Sequence, residues 1–177
     1  MNNTLEAKQP RCVDEKSSRW YIAYTFSRAE RAAQRKLEMI GVSSYVPLHK
    51  VQKNWSDRKK ILETPLFPNY IFIYASQTRK YEILKMKEIV NYITFEGKAV
   101  TVSENLINSI KKIVEHDVEV TSLDYSPGMR VRIKEGPLAG VEGKLLKKNN
   151  KNFLLVEIEI LQRAVAINIS CDTVVPV

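Results

Sequence analysis

Pro65-Leu66-Phe67-Pro68-Asn69-Tyr70-Ile71-Phe72-Ile73 is the stretch on which the fold turns. Pro68 fixes its own backbone angle and keeps Phe67 out of helical space, so the chain must turn here. Residues 70–73 then supply aromatic and β-branched side chains without a polar break, the composition of a buried strand. A large ring at Phe67, held on a rigid turn at the mouth of that strand, is costly unless something packs on it. Just upstream, Trp55-Ser56-Asp57-Arg58-Lys59-Lys60 reads as a basic loop with one aromatic residue.

Working toward the N-terminus, Trp20-Tyr21-Ile22-Ala23-Tyr24-Thr25 is a strand by composition. Ser27-Arg28-Ala29-Glu30 has the spacing of a capping box and opens a helix. Ala29, Ala33, Leu37 and Ile40 form its buried face, and Gly41 ends it. Residues 44–51 are strand-like, and the chain returns from the basic loop through Ile61 and Leu62. Working the other way, Thr78 caps a short helix to about residue 87. Residues 90–95 and 99–102 form a hairpin across Glu96-Gly97-Lys98. Ser103 caps a further helix whose Leu106, Ile107, Ile110, Ile113 and Val114 make one apolar stripe. The mixture predicts an α+β domain, a sheet with helices packed against it.

Residues 118–126 carry no strong pattern and, followed by Pro127-Gly128, read as a linker. From Met129 onward only short strands are predicted. Arg130, Arg132 and Lys134 alternate with Val131 and Ile133, one face polar and one buried. Gly143 falls early in a strand and marks a bulge or a close backbone approach. Residues 154–160 and 164–169 alternate with period two, and about fifty residues of this kind close into a small all-β barrel of five strands. The division is therefore 1–17 as a flexible tail, 18–117 as the first domain, 118–126 as linker and 127–177 as the second domain.

The chain of 177 residues carries 28 Lys plus Arg against 20 Asp plus Glu, a formal net charge of +8. Residues 18–117 hold 17 of the basic and 10 of the acidic side chains, so nearly all the excess lies in the first domain. A basic face suits a nucleic-acid or acidic-protein partner. Cys12 and Cys171 form no pair at metal-ligand spacing, and His49 and His116 have no companion pattern. Neither a disulfide framework nor a metal site is expected, nor any cofactor. That suits a reducing cytoplasm. The polar N-terminus is neither signal peptide nor anchor, and no run is long enough to cross a membrane. Without a Gly-rich phosphate loop, a nucleophile elbow or a motif-embedded carboxylate pair, an enzyme is not expected.

The aromatic turn, paired with the basic loop, resembles the N-terminal (NGN) domain of the NusG family of transcription elongation factors. The Pro-Leu-Phe-Pro-Asn-Tyr wording is closest to its specialised RfaH and UpxY-type members. Gly128-Met129-Arg130-Val131-Arg132-Ile133 and Gly136-Pro137-Leu138-Ala139-Gly140-Val141-Glu142-Gly143 resemble a KOW domain, a small SH3-like barrel. Together the two resemblances span roughly 19–177. Housekeeping family members usually show Gly where Asn69 stands, which again points to a specialised paralogue.

The resemblance implies that Tyr24, Phe67, Pro68 and Tyr70 form an aromatic cavity for the clamp helices of the largest subunit of RNA polymerase. Phe67, between two prolines, is its expected anchor. The first helix of such proteins meets the non-template DNA strand, which assigns Arg28, Arg31 and Arg35, at helical spacing, and Lys36 to nucleic acid. Lys53, Arg58, Lys59 and Lys60, with Trp55 for stacking, join them on the basic loop. RfaH itself adds a His-Thr-rich motif against the second large polymerase subunit. Here that region is Arg79-Lys80-Tyr81-Glu82-Ile83-Leu84, so no such contact carries over. The expected protein is a monomeric antiterminator that suppresses pausing and termination in particular operons. The alternatives are the general elongation and termination factor of the same family, contacting Rho or a ribosomal protein through its KOW domain, and a ribosome-associated RNA-binding protein. RfaH's KOW segment folds back as a helical hairpin. The period-two Val and Ile runs here oppose that state and predict a barrel that leaves the aromatic pocket open.

Overall fold

Strand β1 (Arg19–Thr25) runs through the middle of the first sheet because it is apolar on both sides, with Tyr21 and Ala23 buried on one face and Ile22 on the other. This computed structural model describes residues 17–54, 59–116, 118–122, 128–148, 151–158, 161–169 and 173–177. β1 pairs antiparallel with β5 (Tyr70–Ala75), in a register running from Arg19↔Ala75 to Tyr24↔Tyr70. On its other edge it meets β6 (Ile89–Tyr92) around Tyr24 and β9 (Thr101–Val102) around Trp20. β2 (Ser44–Tyr45) extends the sheet beyond β5.

Helices cover both faces, which is why residues 71–73 are apolar without alternation. On one face α1 (Glu30–Met39) and α2 (Gln77–Ile83) bring Ala33, Leu37 and Ile83 onto Tyr21, Ala23, Ile71 and Ile73. On the other, α3 (Glu104–Ile113) sets Ile107, Ile110 and Ile113 into one core with Ile22, Leu66, Phe67 and Phe72. Ser103 caps α3 as its sequence implies, its hydroxyl accepting the Leu106 amide at 3.2 Å. After α1, Gly41 (φ 70) sends its amide to Glu38 O and the Val42 amide reaches Leu37 O. These two bonds, with Val42 and Leu37 both buried, make a Schellman cap.

Local readings depart from the structure where a tertiary partner intervenes. α1 begins at Glu30 with Ala29 as its cap and no side-chain capping bond. Ser27 instead lies in a turn closed by the Ala29 amide on Phe26 O (3.0 Å), so no capping box forms. Ile40 is the C-cap of α1 and 45 % exposed, outside the buried face expected for it. The cap of α2 is Ser76, not Thr78, and the helix ends at Ile83. Glu96 and Gly97, both at positive φ, join β7 (Thr94–Phe95) to β8 (Lys98–Ala99) as a two-residue turn of the primed kind. The outer parts of that expected hairpin, β6 and β9, pair with β1 rather than with each other.

β3 (Leu48–Asn54) and β4 (Lys59–Pro65) form a separate two-stranded ladder, from Leu48↔Pro65 to Asn54↔Lys59.

Every regular element described in the C-terminal part is a strand. β10 (Val118–Ser122), β11 (Met129–Ile133), β12 (Glu142–Lys148), β13 (Lys151–Ile158), β14 (Arg163–Ile169) and β15 (Val174–Pro176) form one antiparallel sheet in the order β10-β14-β13-β12-β11-β15. Residues 118–122, expected in the linker, thus form a strand paired with β14. The sheet has six strands rather than five, and among the described residues β10 and β15 are not paired with each other. Residues 151–158 and 163–169 are strands, not a helical hairpin. Val131, Ile133, Leu154, Val156, Ile158, Val165 and Ile167 are buried in its core. Gly143 is required by close approach, because a Cβ there would lie 2.3 Å from the carbonyl oxygen of Leu155.

Candidate functional site

The helical cover on the α3 side of the first sheet leaves one end open. Tyr24 and Tyr70 are direct register partners on that face, with Asn91 opposite Tyr24 on β6. Their rings meet edge to face, centroids 5.4 Å apart and planes at 73°. Such a pair contributes about 0.5–1.5 kcal/mol beyond its buried area. Tyr24 is 38 % exposed and Tyr70 half-buried, so one ring is open to solvent while the other supports it. Pro68 is exposed beside them.

The turn that feeds this pair is built from 67–70. The Tyr70 amide donates to Phe67 O at 3.2 Å. Pro68 in the second position and Asn69 at φ 68 in the third are what a type II turn demands. Asn is one of the few non-glycine residues that tolerates left-handed backbone. Asn69 is tied on every side: its amide donates to Glu30 Oε1 at 2.7 Å, its carbonyl accepts the Thr25 amide at 2.8 Å, and its Nδ2 reaches Tyr24 Oη at 3.4 Å.

Phe67 sits elsewhere than expected. It is 2 % exposed, packed edge-on against Phe72 at 6.4 Å within the core beneath α3. Its ring turns inward, where burial is most favourable. In this structure it is part of the core beneath α3 rather than a contact surface.

The basic residues divide into tied and untied. Arg31 pairs with Glu63 of β4 at 2.6 Å, both half-exposed, a bond worth no more than about 1 kcal/mol. Lys36 pairs with Glu88 at 2.5 Å, and this hydrogen bond holds the Glu88 carboxyl below its ordinary value. Arg28 lies outside α1, in left-handed backbone at φ 61, so the three arginines do not form one helical stripe. Arg28 and Arg35 are exposed, and neither has a hydrogen bond or ion pair among the described residues. Lys59 is exposed at the start of β4. Lys53 and Lys60 are strand partners at the far end of the hairpin. Trp55 and Arg58 lie outside the described residues.

Two neighbours of this surface were not singled out from sequence, and a third is read there in another role. Phe26, 57 % exposed, follows Tyr24 by two residues, and Val90, 45 % exposed, sits at the register shift between β6 and β1. A lone aromatic before a Ser-Arg turn was the only signal for Phe26. The bulge at Val90 has none. Glu30 is the third, its role set by a residue 39 positions away. Among the described residues no group of three or more His, Cys, Asp or Glu side chains is placed to hold a metal. No helix among them is long and apolar enough to cross a membrane. The arrangement can bind through rings and cations.

A sheet with an open aromatic end, flanked by cations, defines a binding module. Residues 18–111 match the family described as "NusG: Transcription termination factor nusG". The chain belongs to the NusG family of transcription factors. It is 22 % identical to the transcription termination/antitermination protein NusG of Borreliella burgdorferi, over 86 % of this chain and 95 % of that one. To the protein of the same name from Neisseria meningitidis it is 25 % identical, over 89 % and 97 %. The solved structure described as "Domain interaction in Thermotoga maritima NusG" shares the fold, with a TM-score of 0.54 at 19 % identity over 92 % of this chain and 99 % of that one.

Proposed function

We propose that this protein is a specialised antitermination and elongation factor. It binds elongating RNA polymerase through the aromatic end of its first sheet and suppresses pausing and termination in particular operons. The observation that carries this is the Tyr24–Tyr70 pair left uncovered by α3, with Arg28 and Arg35 untied on the adjacent turn and helix. Exposed rings on rigid strands are the usual energetic anchors of an interface. The clamp helices of the largest polymerase subunit are the partner for Tyr24, Pro68 and Tyr70. Arg28, Arg35 and Lys59 follow the non-template strand. The mechanism is binding rather than turnover: a ligand that prefers the pause-free enzyme shifts that equilibrium by its differential affinity.

Asn69, where housekeeping relatives usually carry Gly, supports the specialised reading. The second reading, a general elongation and termination factor acting in the cytoplasm with Rho or a ribosomal protein on its second sheet, is favoured by the name its relatives share. Purified polymerase stalled and released on pause and terminator templates tests both. The proposal requires tighter binding to the elongating complex and fewer pauses. Enhanced Rho-dependent release would favour the second reading, and no binding to polymerase would exclude both.

A further inference from the structure

Glu30 opens α1 yet is 4 % exposed, unusual for a carboxylate in a first helical turn. It does not cap its own helix: its Oε1 accepts the Asn69 amide at 2.7 Å, across 39 residues of sequence. Burying a carboxylate is costly unless charge-assisted hydrogen bonds offset its lost hydration. The positive end of α1 adds some stabilisation to the same group. The amide it holds belongs to the one left-handed residue of the aromatic turn, and that residue's side chain reaches the exposed Tyr24 hydroxyl.

We propose that Glu30 is a positioning residue for the aromatic surface, acting through Asn69 to set the turn and the tilt of Tyr24 against Tyr70 before any partner arrives. This rests on the reading of Tyr24 and Tyr70 as the polymerase contact. Glu30 itself touches no partner, since it is enclosed. Its effect is preorganisation: rings already held in the bound geometry lose less freedom on association. Because Glu30 belongs to α1, the helix that carries Arg35 and the turn that carries Pro68 are joined into one unit. Asn69 cannot turn without pulling on α1.

Nuclear magnetic resonance of the full chain, together with affinity for an assembled elongation complex, tests this with Glu30→Ala and Glu30→Gln. Glu30→Ala is expected to move the Asn69 amide proton and the Tyr24 and Tyr70 ring signals in the free protein. It should also weaken polymerase binding about tenfold, the scale of one lost hydrogen bond to a charged group. Glu30→Gln keeps an acceptor oxygen and should restore the ring signals and most of the affinity. If Glu30→Ala does not fold, the parent decides: a coupling across the hydrogen bond from the Asn69 amide to the Glu30 side-chain carboxyl supports the positioning role, and its absence overturns it. Unmoved Asn69 and Tyr24 signals in folded Glu30→Ala overturn it, as does affinity lost only in step with stability. Tyr24→Ala separates the two layers. Full polymerase affinity in that variant would remove the docking reading, while the ring signals of the free protein still decide whether Glu30 sets the geometry.

Discussion

Phe67 and Tyr70 are joined by one hydrogen bond across the Pro68-Asn69 turn, 3.2 Å from amide to carbonyl, yet their rings serve opposite surroundings. Phe67 is enclosed against Phe72, and Tyr70 lies against the solvent-facing Tyr24. The two positions should therefore separate stability from binding. Phe67→Ala is expected to destabilise the first domain by about 3–5 kcal/mol, as loss of a buried aromatic ring does. Tyr24→Ala should change the melting temperature little and weaken binding to an elongation complex by about 2 kcal/mol or more. Denaturation and binding measured side by side check the pair, and a Tyr24→Ala protein that binds as well as the parent contradicts the assignment.

Charge removal should also separate tied from untied residues. Arg28→Gln with Arg35→Gln removes about two phosphates' worth of counterion release. The slope of log affinity against log salt on a bubble template should then flatten by roughly 1.5. Arg31→Gln, whose guanidinium already faces Glu63, should alter the slope less. Equal slopes in all three proteins would mean that this flank does not touch DNA.

How much of this could be read in the sequence follows from where each residue's partner lies. The aromatic and β-branched run at 70–73 declared a buried strand because helices cover both faces, and period-two Val and Ile declared β13 and β14. The apolar stripe of α3 was legible for the same reason: a local pattern records a one-sided burial. Ser27 and Glu30 have capping-box spacing, but Asn69 takes the Glu30 carboxylate, and nothing near Glu30 encodes that. Flanking prolines made Phe67 rigid without saying which way its ring would point, so the expected anchor is core. β10 carries no local strand signal because its strand character depends on β14, some forty residues later. Of the candidate cations, the sequence showed the charge. It could not show Glu63 and Glu88, which neutralise two of them from distant elements.

The Lys36–Glu88 pair predicts an acid-dependent contribution to stability. The folded-state pKa of Glu88 is lowered, first by the Lys36 hydrogen bond. A lowered carboxyl stabilises the fold above its unfolded value of about 4.3 and loses that contribution as pH falls through the folded value. Lys36→Met should thus be less stable than the parent near neutral pH, with the difference shrinking below about pH 4. Urea denaturation across pH 3–7 measures it. A difference that stays constant through the acid range would contradict the linkage.

Gly143 offers a test of the second sheet. A methyl group there meets the Leu155 carbonyl at 2.3 Å, so β12 and β13 must part to admit it. Gly143→Ala is expected to cost on the order of 1–3 kcal/mol, as overpacking does, and to weaken exchange protection of amides in both strands. The Tyr24–Tyr70 ring signals should remain. Unchanged protection between residues 144 and 155 would show that the backbones are less tightly apposed.

Among the described residues the hairpin of β3 and β4 shares no ladder with either large sheet. Seven paired residues a side give it a length of about 23 Å, held at the root by the Leu66 amide on Pro47 O and by Arg31 on Glu63. An arm attached that way is interchangeable. Its far end can be changed in length without altering one residue of the domain's core, so under the proposed function new nucleic-acid preferences could arise there while the end proposed to meet polymerase stays as it is.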